Sequence, residues 1–352
     1  MLPNEHNDSI IAMKIAQVAP IFESVPPKGY GGTERVISYL TEELVERGHE
    51  VTLFASGDSV TAARLISAIP ESIRPGPKDW SWMAYHTIQM DMVSQLADNF
   101  DIIHFHTDYL HYPLAKKLRT PHVTTLHGRQ DLPELAPLYR HFADIPLISI
   151  SNSQRKPLPQ ANWIATVHHG LPADRYSFHS TPNEYFLFLG RISPEKRIDR
   201  AVEIAERCGM PLYIAAKIDK MDEAYYETVR HLFRKPYVTY VGEVGDKEKH
   251  ELLTHAKALL FPVDWPEPFG LVMIEAFSCG TPVIAYAQGA IPEVLENGVT
   301  GFVVTNQEEA VQAAMRIGEL DRKACRAAFE RRFTAAIMAK NYLRVYDRLL
   351  SH

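Results

Sequence analysis

The sequence predicts an α/β protein of two domains, each a parallel sheet flanked by helices, facing one another across a cleft. Three observations carry this expectation. From Lys14 onward, short β-branched runs alternate with longer amphipathic stretches, the rhythm of strands joined by crossover helices. A proline- and polar-rich segment, residues 171–184, breaks the rhythm as a linker would, and the pattern then restarts over a comparable length. Finally, 352 residues with 46% hydrophobic content suffice for two ordinary cores, whereas one domain of that length would be unusually large.

In the first series KIAQVAPI reads as a strand, ERVISYLTEELVERGH as a helix and EVTLFAS as the next strand. DIIHFHT, HVTTLHG, PLISISN and WIATVHHG follow as buried strands that end in His, Gly, Ser or Asn. In an open parallel sheet the ligand crevice lies beyond the carboxyl ends of the strands, so these endings are where polar groups matter. The second series runs through EYFLFLGR, a helix over RIDRAVEIAER, PLYIAAK, a helical DEAYYETVRHLF, YVTYVGE, a helix over KEKHELLTHA, LLFPV, GLVMIEAFSCG, PVIAYA and TGFVV. The expected organisation is a disordered tail over residues 1–13 and two Rossmann-like domains over 14–175 and 176–335. A last helix over 336–352 is expected to pack back toward the first domain.

Composition excludes several partners. A formal net charge of −6, with scattered Lys and Arg, offers no basic field for a nucleic-acid backbone. Cys208, Cys279 and Cys325 are too few and too dispersed for a disulfide framework or a CxxC metal site, which fits a reducing cytoplasm. No apolar run approaches the roughly 18 residues of a membrane-spanning helix, and residues 1–12 hold no Lys or Arg to open a signal peptide. Acidic residues outnumber basic ones over residues 1–180, which argues against strong attraction to an anionic membrane. The expected location is cytoplasmic, with weak peripheral association at a membrane's inner face allowed.

The most specific signal is EPFGLVMIE, in which Glu267 and Glu275 flank seven residues. Pro268 precedes a short helix whose first turn includes Gly270 and Leu271, and Gly280 with Pro282 ends it. The free N–H groups of such a helix start suit a diphosphate, and a glycine there lets the anion approach the backbone. Glu275, one turn inside, is placed to accept hydrogen bonds from ribose hydroxyls; Glu267, just outside, is placed to meet the hydroxyls of a sugar beyond the phosphates. In FLGRISPEKR, Arg191 and Lys196 follow the end of a strand. Two fixed cations there neutralise charge building on a departing diphosphate. No D-x-D occurs in the chain, so the usual carboxylate pair that holds a metal against such a diphosphate is missing, and metal-independent chemistry is expected.

The string LLFPVDWPEPFGLVMIEAFSCGTPVIA resembles the signature of family 4 glycosyltransferases, a large retaining group that includes glycogen and sucrose synthases and bacterial mannosyltransferases. The resemblance extends over about residues 14 to 350, with the motifs in the family's order. It implies the GT-B architecture of two facing Rossmann-like domains, with the acceptor mainly on the first and the nucleotide-sugar donor mainly on the second. It also implies that Arg191, Lys196, Glu267 and His127 serve catalysis. In TTLHGRQD, His127 matches the family's T-x-H-G histidine beside the transferring sugar. Gly31 and Gly32, in PPKGYGGTERV, match a turn bordering the donor phosphates. Gly242, Glu243 and Val244 match a loop that meets the base through backbone groups, and Phe269, Gly270, Leu271 and Glu275 complete the donor site. His104 and His106 resemble a D-x-x-H-x-H strand and are expected on the acceptor side.

Two departures are visible: His169 stands where many members have Asn, and Arg197 where many have Gly. The implied function is retaining, metal-independent transfer of a hexose-type sugar from a nucleotide diphosphate, with UDP-sugars favoured over GDP-sugars, to a glycan, lipid or small-molecule acceptor, without a cofactor. The rivals are a sugar-nucleotide epimerase, a non-catalytic sugar-nucleotide binding protein and a nicotinamide-dependent dehydrogenase. The last is disfavoured because Glu34 occupies the third glycine position of a G-x-G-x-x-G fingerprint opened by Gly29 and Gly31.

Overall fold

A computed structural model describes residues 12–29, 31–74 and 80–351. The proposed tail therefore lies almost wholly outside the described residues. The first sheet comprises β1 (Lys14–Val18), β2 (Glu50–Phe54), β3 (Arg64–Ile66), β4 (Ile102–Phe105), β5 (His122–Thr125), β6 (Leu147–Ser149) and β7 (Trp163–Thr166), in the spatial order β3-β2-β1-β4-β5-β6-β7. The second comprises β8 (Phe186–Arg191), β9 (Leu212–Lys217), β10 (Val238–Gly242), β11 (Ala258–Phe261), β12 (Val283–Tyr286) and β13 (Gly301–Val304), ordered β10-β9-β8-β11-β12-β13. All pairings are parallel. Each sheet reverses its strand order beside its first strand, and the crevice at such a switch point is where an α/β sheet binds ligands. Two parallel α/β sheets in one chain agree with the expected fold class.

Several elements escaped the sequence pattern, among them the third strand and the helix before β4. Strand β3 has only three residues, too few to show alternation. The helix Trp82–Leu96 buries His86, Gln89 and Val93 while Trp82, Met83 and Ile88 are exposed, so no apolar stripe marks it. Its inward face is instead bonded: the Gln89 amide donates to the carbonyls of Ala19 (3.0 Å) and Phe54 (3.2 Å).

The chain passes between the sheets twice at one place. Leu171 N–H donates to Phe333 O (2.9 Å) and Ala335 N–H donates to Leu171 O (2.7 Å). Gly170 allows this closeness, since a Cβ there would stand 2.3 Å from Thr334 O. Beyond the crossing, Thr334 caps the helix Ala335–Leu350, which lies against the first sheet: the Gln17 amide of β1 meets Tyr346 Oη at 3.1 Å. One apolar cluster joins the parts, from Ile15, Ile102 and Ile148 through Val167 and Leu171 to Met273, Phe277 and Tyr342. Each fully buried side chain of this size contributes about 1.5–3 kcal/mol. No described helix is long and apolar enough to cross a membrane.

Candidate active site

Strand β11 runs into PVDWPEP and then the helix Leu271–Cys279. Gly270, the residue before that helix, has φ 85, a left-handed conformation that favours glycine, and a Cβ there would meet Met273 Cε at 2.7 Å. Glu267 is 9% exposed. Its Oε2 accepts from Lys196 Nζ (2.7 Å) and from Trp265 Nε1 (3.0 Å). Its backbone is clamped as well: Ala290 N–H donates to Glu267 O at 2.8 Å. Gly289 (φ 57) lies so close that a Cβ would stand 2.3 Å from that oxygen and 2.4 Å from Glu267 N. Eight residues on, the buried Glu275 accepts from Lys249 Nζ (2.7 Å) and Tyr176 Oη (3.2 Å).

The two cations that follow β8 have different surroundings. Lys196 lies against Glu267, with its ammonium 5.0 Å from the Trp265 ring centre. Arg191 lies among Glu195 (2.6 Å), Asp222 (3.2 Å) and Asp219 (3.8 Å). Arg197 has φ 51, a left-handed conformation that costs a side-chain-bearing residue more than glycine. Its guanidinium offsets that cost by bonding Asp199 (2.7 Å) and Asp264 (2.9 Å), and those bonds hold its pKa above the ordinary range.

From the first domain, the glycine turn reaches the second. Gly31 is extended (φ 172), and it is glycine for space, since a Cβ would fall 2.8 Å from Pro27 Cβ. A Cβ on Gly32 would meet Leu271 Cδ1 at 3.3 Å, and one on Gly29 would meet Glu243 Oε1 at 3.7 Å. The turn thus abuts both the helix start and the loop after β10, where Gly242 has φ 81 and precedes Glu243 and Val244.

Glu34, in the first turn of the helix Gly32–Glu46, is buried. Burial, aided by the nearby Glu23 carboxylate, raises its pKa from 4.5 to about 7. A carboxyl with a raised folded-state pKa favours folding while protonated, and that advantage is lost as pH rises from 4.5 through 7. Glu34's own contribution to stability is therefore expected to fall by about 3 kcal/mol across this window, so Glu34→Gln gains on the wild type by about that amount as pH rises. Urea unfolding of both proteins at pH 5 and pH 8 checks this; an unchanged difference between them would refute it.

His127 follows β5 and is neutral, because burial pushes its pKa down to about 3. Its Nε2 lies 2.8 Å from His106 Nδ1, and its Nδ1 is buried without a hydrogen-bond partner among the described residues. His169 stacks on His127 (5.3 Å, 16°) and meets Phe269 edge-on (4.9 Å, 65°), so this departure from the family pattern bridges a first-domain histidine to the donor-side helix.

His104 and His106 are held by groups within the protein. Both are buried, and all four ring nitrogens face protein groups: Tyr346 and Thr125 for His104, His127 and Gln17 for His106. Neither has a nitrogen left for an acceptor. His111 stacks on Phe105 and lies 2.7 Å from Thr124 Oγ1. No cluster of three or more metal-ligating side chains occurs among the described residues.

The facing edges are drawn together. Ser151 Oγ donates to Pro268 O (2.8 Å), Asn152 N–H donates to Glu293 Oε2 (2.7 Å), and Arg35 pairs with Asp246 (3.0 Å). A cavity of about 20 Å³ lies between Arg129, Gln130, Ser153, Glu267 and Pro268, far below the few hundred Å³ of a ligand site. A larger cavity, about 620 Å³, opens between β7 and the last helix and includes none of the residues above.

The sequence reading missed Lys249, Tyr176, Trp265 and Gly289. Only the DWPEP string around Trp265 carried a signal, because the other three reach the site from distant segments.

Residues 174–331 match the glycosyl transferases group 1 family, and residues 30–191 match glycosyltransferase family 4. Glycogen synthase of Mycobacterium tuberculosis is 27% identical over 364 residues, covering 88% of this chain and 87% of the relative. The structure of AviGT4, a glycosyltransferase involved in avilamycin A biosynthesis, matches with TM-score 0.75 at 25% identity, over 96% of this chain and 98% of that one. HepE of Anabaena, in complex with UDP and glucose, shares the fold with TM-score 0.72 at 18% identity, over 96% and 100% of the two chains. With the two family matches together spanning residues 30–331 and the same two-sheet fold in these structures, the chain belongs to the family 4 glycosyltransferases and is a glycosyltransferase of GT-B fold.

Proposed function

We propose that this enzyme transfers a hexose-type sugar from a nucleotide diphosphate to a glycan, lipid or small-molecule acceptor, without a metal and with retention of anomeric configuration. The observation that carries the reading is Lys196 held against Glu267 (2.7 Å) immediately before the helix Leu271–Cys279. Glu267 binds hydroxyls of the donor sugar, the helix start receives the diphosphate, and Glu275 holds the ribose. The bond from the anomeric carbon to the diphosphate breaks as the acceptor oxygen bonds that carbon on the same face. The acceptor proton passes to the leaving phosphate oxygen, and Lys196 and Arg191 stabilise the charge that develops there.

A uracil nucleotide is the favoured donor, supported by the UDP bound to HepE. Two cations and a helix start together supply the neutralisation that a bound ion gives elsewhere. Activity is therefore expected to survive excess EDTA, and an α-linked donor to give an α-linked product by the proton coupling of its new anomeric centre. Manganese-dependent recovery after EDTA, or a β-linked product, would refute the mechanism.

A further inference from the structure

A chain of buried polar groups runs from the last helix to His127. Tyr342 Oη lies 3.2 Å from Thr125 Oγ1, and Thr125 Oγ1 lies 2.7 Å from His104 Nε2. His104 Nδ1 lies 2.7 Å from Tyr346 Oη, which lies 3.1 Å from Gln17 Nε2. Gln17 Oε1 lies 2.8 Å from His106 Nε2, and His106 Nδ1 lies 2.8 Å from His127 Nε2. With every imidazole neutral, each ring carries one N–H and one lone pair; where each bridging hydroxyl also gives its one proton within the chain, choosing the direction of any one bond fixes all the others.

Two polarities satisfy the chain, and acid–base matching separates them. In one, Gln17 donates to Tyr346 and Tyr346 donates to His104, so the phenol, the strongest acid among these neutral groups, meets an imidazole lone pair at 2.7 Å. In the other, the phenol is spent on the weakly basic amide oxygen and the imidazole lone pair is served by the alcohol of Thr125. The first is the stronger set. In it Gln17 Oε1 accepts from His106 Nε2–H, His106 Nδ1 accepts from His127 Nε2–H, and His127 Nδ1 keeps a lone pair. That nitrogen is the one without a partner among the described residues.

We propose that Gln17 is a positioning residue whose amide, oriented by Tyr346 of the last helix, sets the tautomer of His127 so that its Nδ1 only accepts a hydrogen bond. Resting on the sugar-transfer reading above, this makes the group His127 recognises a hydroxyl of the donor sugar that gives its proton.

Gln17→Leu takes the amide out of the chain. Leucine leaves His106 and His127 with no fixed direction.

The test is two-bond ¹H–¹⁵N correlation on ¹⁵N-histidine-labelled protein without nucleotide, with assignments from the signals lost in His104→Asn and His127→Gln. The wild type is expected to show His127 protonated at Nε2. Gln17→Leu is expected to mix the tautomers of His127. Protonation of His127 at Nδ1 in the wild type, or a single His127 tautomer in Gln17→Leu, overturns the proposal; the first holds even if Gln17→Leu does not fold. With UDP-glucose as donor probe, Gln17→Leu is expected to lower kcat about tenfold, the scale of one misdirected hydrogen bond, and an unchanged kcat counts against the assignment. Failure of the sugar-transfer reading looks different: no UDP-, GDP- or ADP-sugar protects against thermal unfolding, whatever the imidazole spectrum shows.

Discussion

Replacing Lys196 with alanine lowers the turnover of sugar transfer by about 10²-fold or more, the scale of losing one electrostatic donor at a reacting centre. The ammonium serves two states of the enzyme. Before the donor arrives it bonds Glu267 Oε2 at 2.7 Å, so its loss leaves a buried carboxylate with Trp265 Nε1 as its remaining side-chain donor. When the diphosphate departs, the charge that Lys196 would meet goes unanswered. Steady-state kinetics on a donor found by screening UDP-, GDP- and ADP-sugars checks the effect. Unchanged turnover in Lys196→Ala sinks the role given to this residue.

The second large effect is expected at a residue with no side chain to offer a substrate. Gly289→Ala drives a Cβ into the peptide of Glu267, at 2.3 Å from its oxygen and 2.4 Å from its nitrogen, at a φ of 57 that alanine adopts reluctantly. The backbone must yield, and it carries Glu267 with it. Because Glu275 sits on the following helix with Lys249 and Tyr176, the nucleotide half of the site is left in place. The variant is expected to bind the free nucleoside diphosphate within a few-fold of wild type while kcat falls by about 10²-fold, since a misplacement of about 1 Å has that cost. Calorimetric titration beside kinetics separates the two, and an equal loss of nucleotide affinity would show that the whole domain, not Glu267, was disturbed.

What could be read from the sequence was local. Strand endings such as FLGR and TTLHG, and the nine residues EPFGLVMIE, each bring their chemistry to the end of a single element, so a linear pattern reports them. The partners of those residues arrive from elsewhere. Lys249 meets Glu275 from a helix whose pattern shows only charge, and Gly289 meets Glu267 from the loop after β12. The histidines at the end of β4 depend on distant segments in the same way. A strand that alternates His and Phe looks equipped for a ligand, but His104 and His106 are satisfied from within by Tyr346, Thr125, Gln17 and His127. Only the return of the last helix brings Tyr346 beside them, 242 positions along the chain from His104. The helix Trp82–Leu96 was illegible because two of its three buried residues are polar.

That return has a consequence for the order in which the molecule is made. Strands β1–β7 leave the ribosome first, yet Tyr342 and Tyr346, which fill the space over Gln17 and His104, are synthesised only after the entire second sheet and the crossing at Thr334. The early half of the chain thus emerges with β1 and β4 lacking their cover, carrying Gln17, His104 and His106 as bare polar groups on an apolar surface. Domains generally fold in the order they are translated; here the later sheet, uninterrupted in sequence from Phe186 to Val304, has all its own strands before the earlier one has its lid. The surroundings of His127 are consequently among the last parts of this fold that synthesis completes.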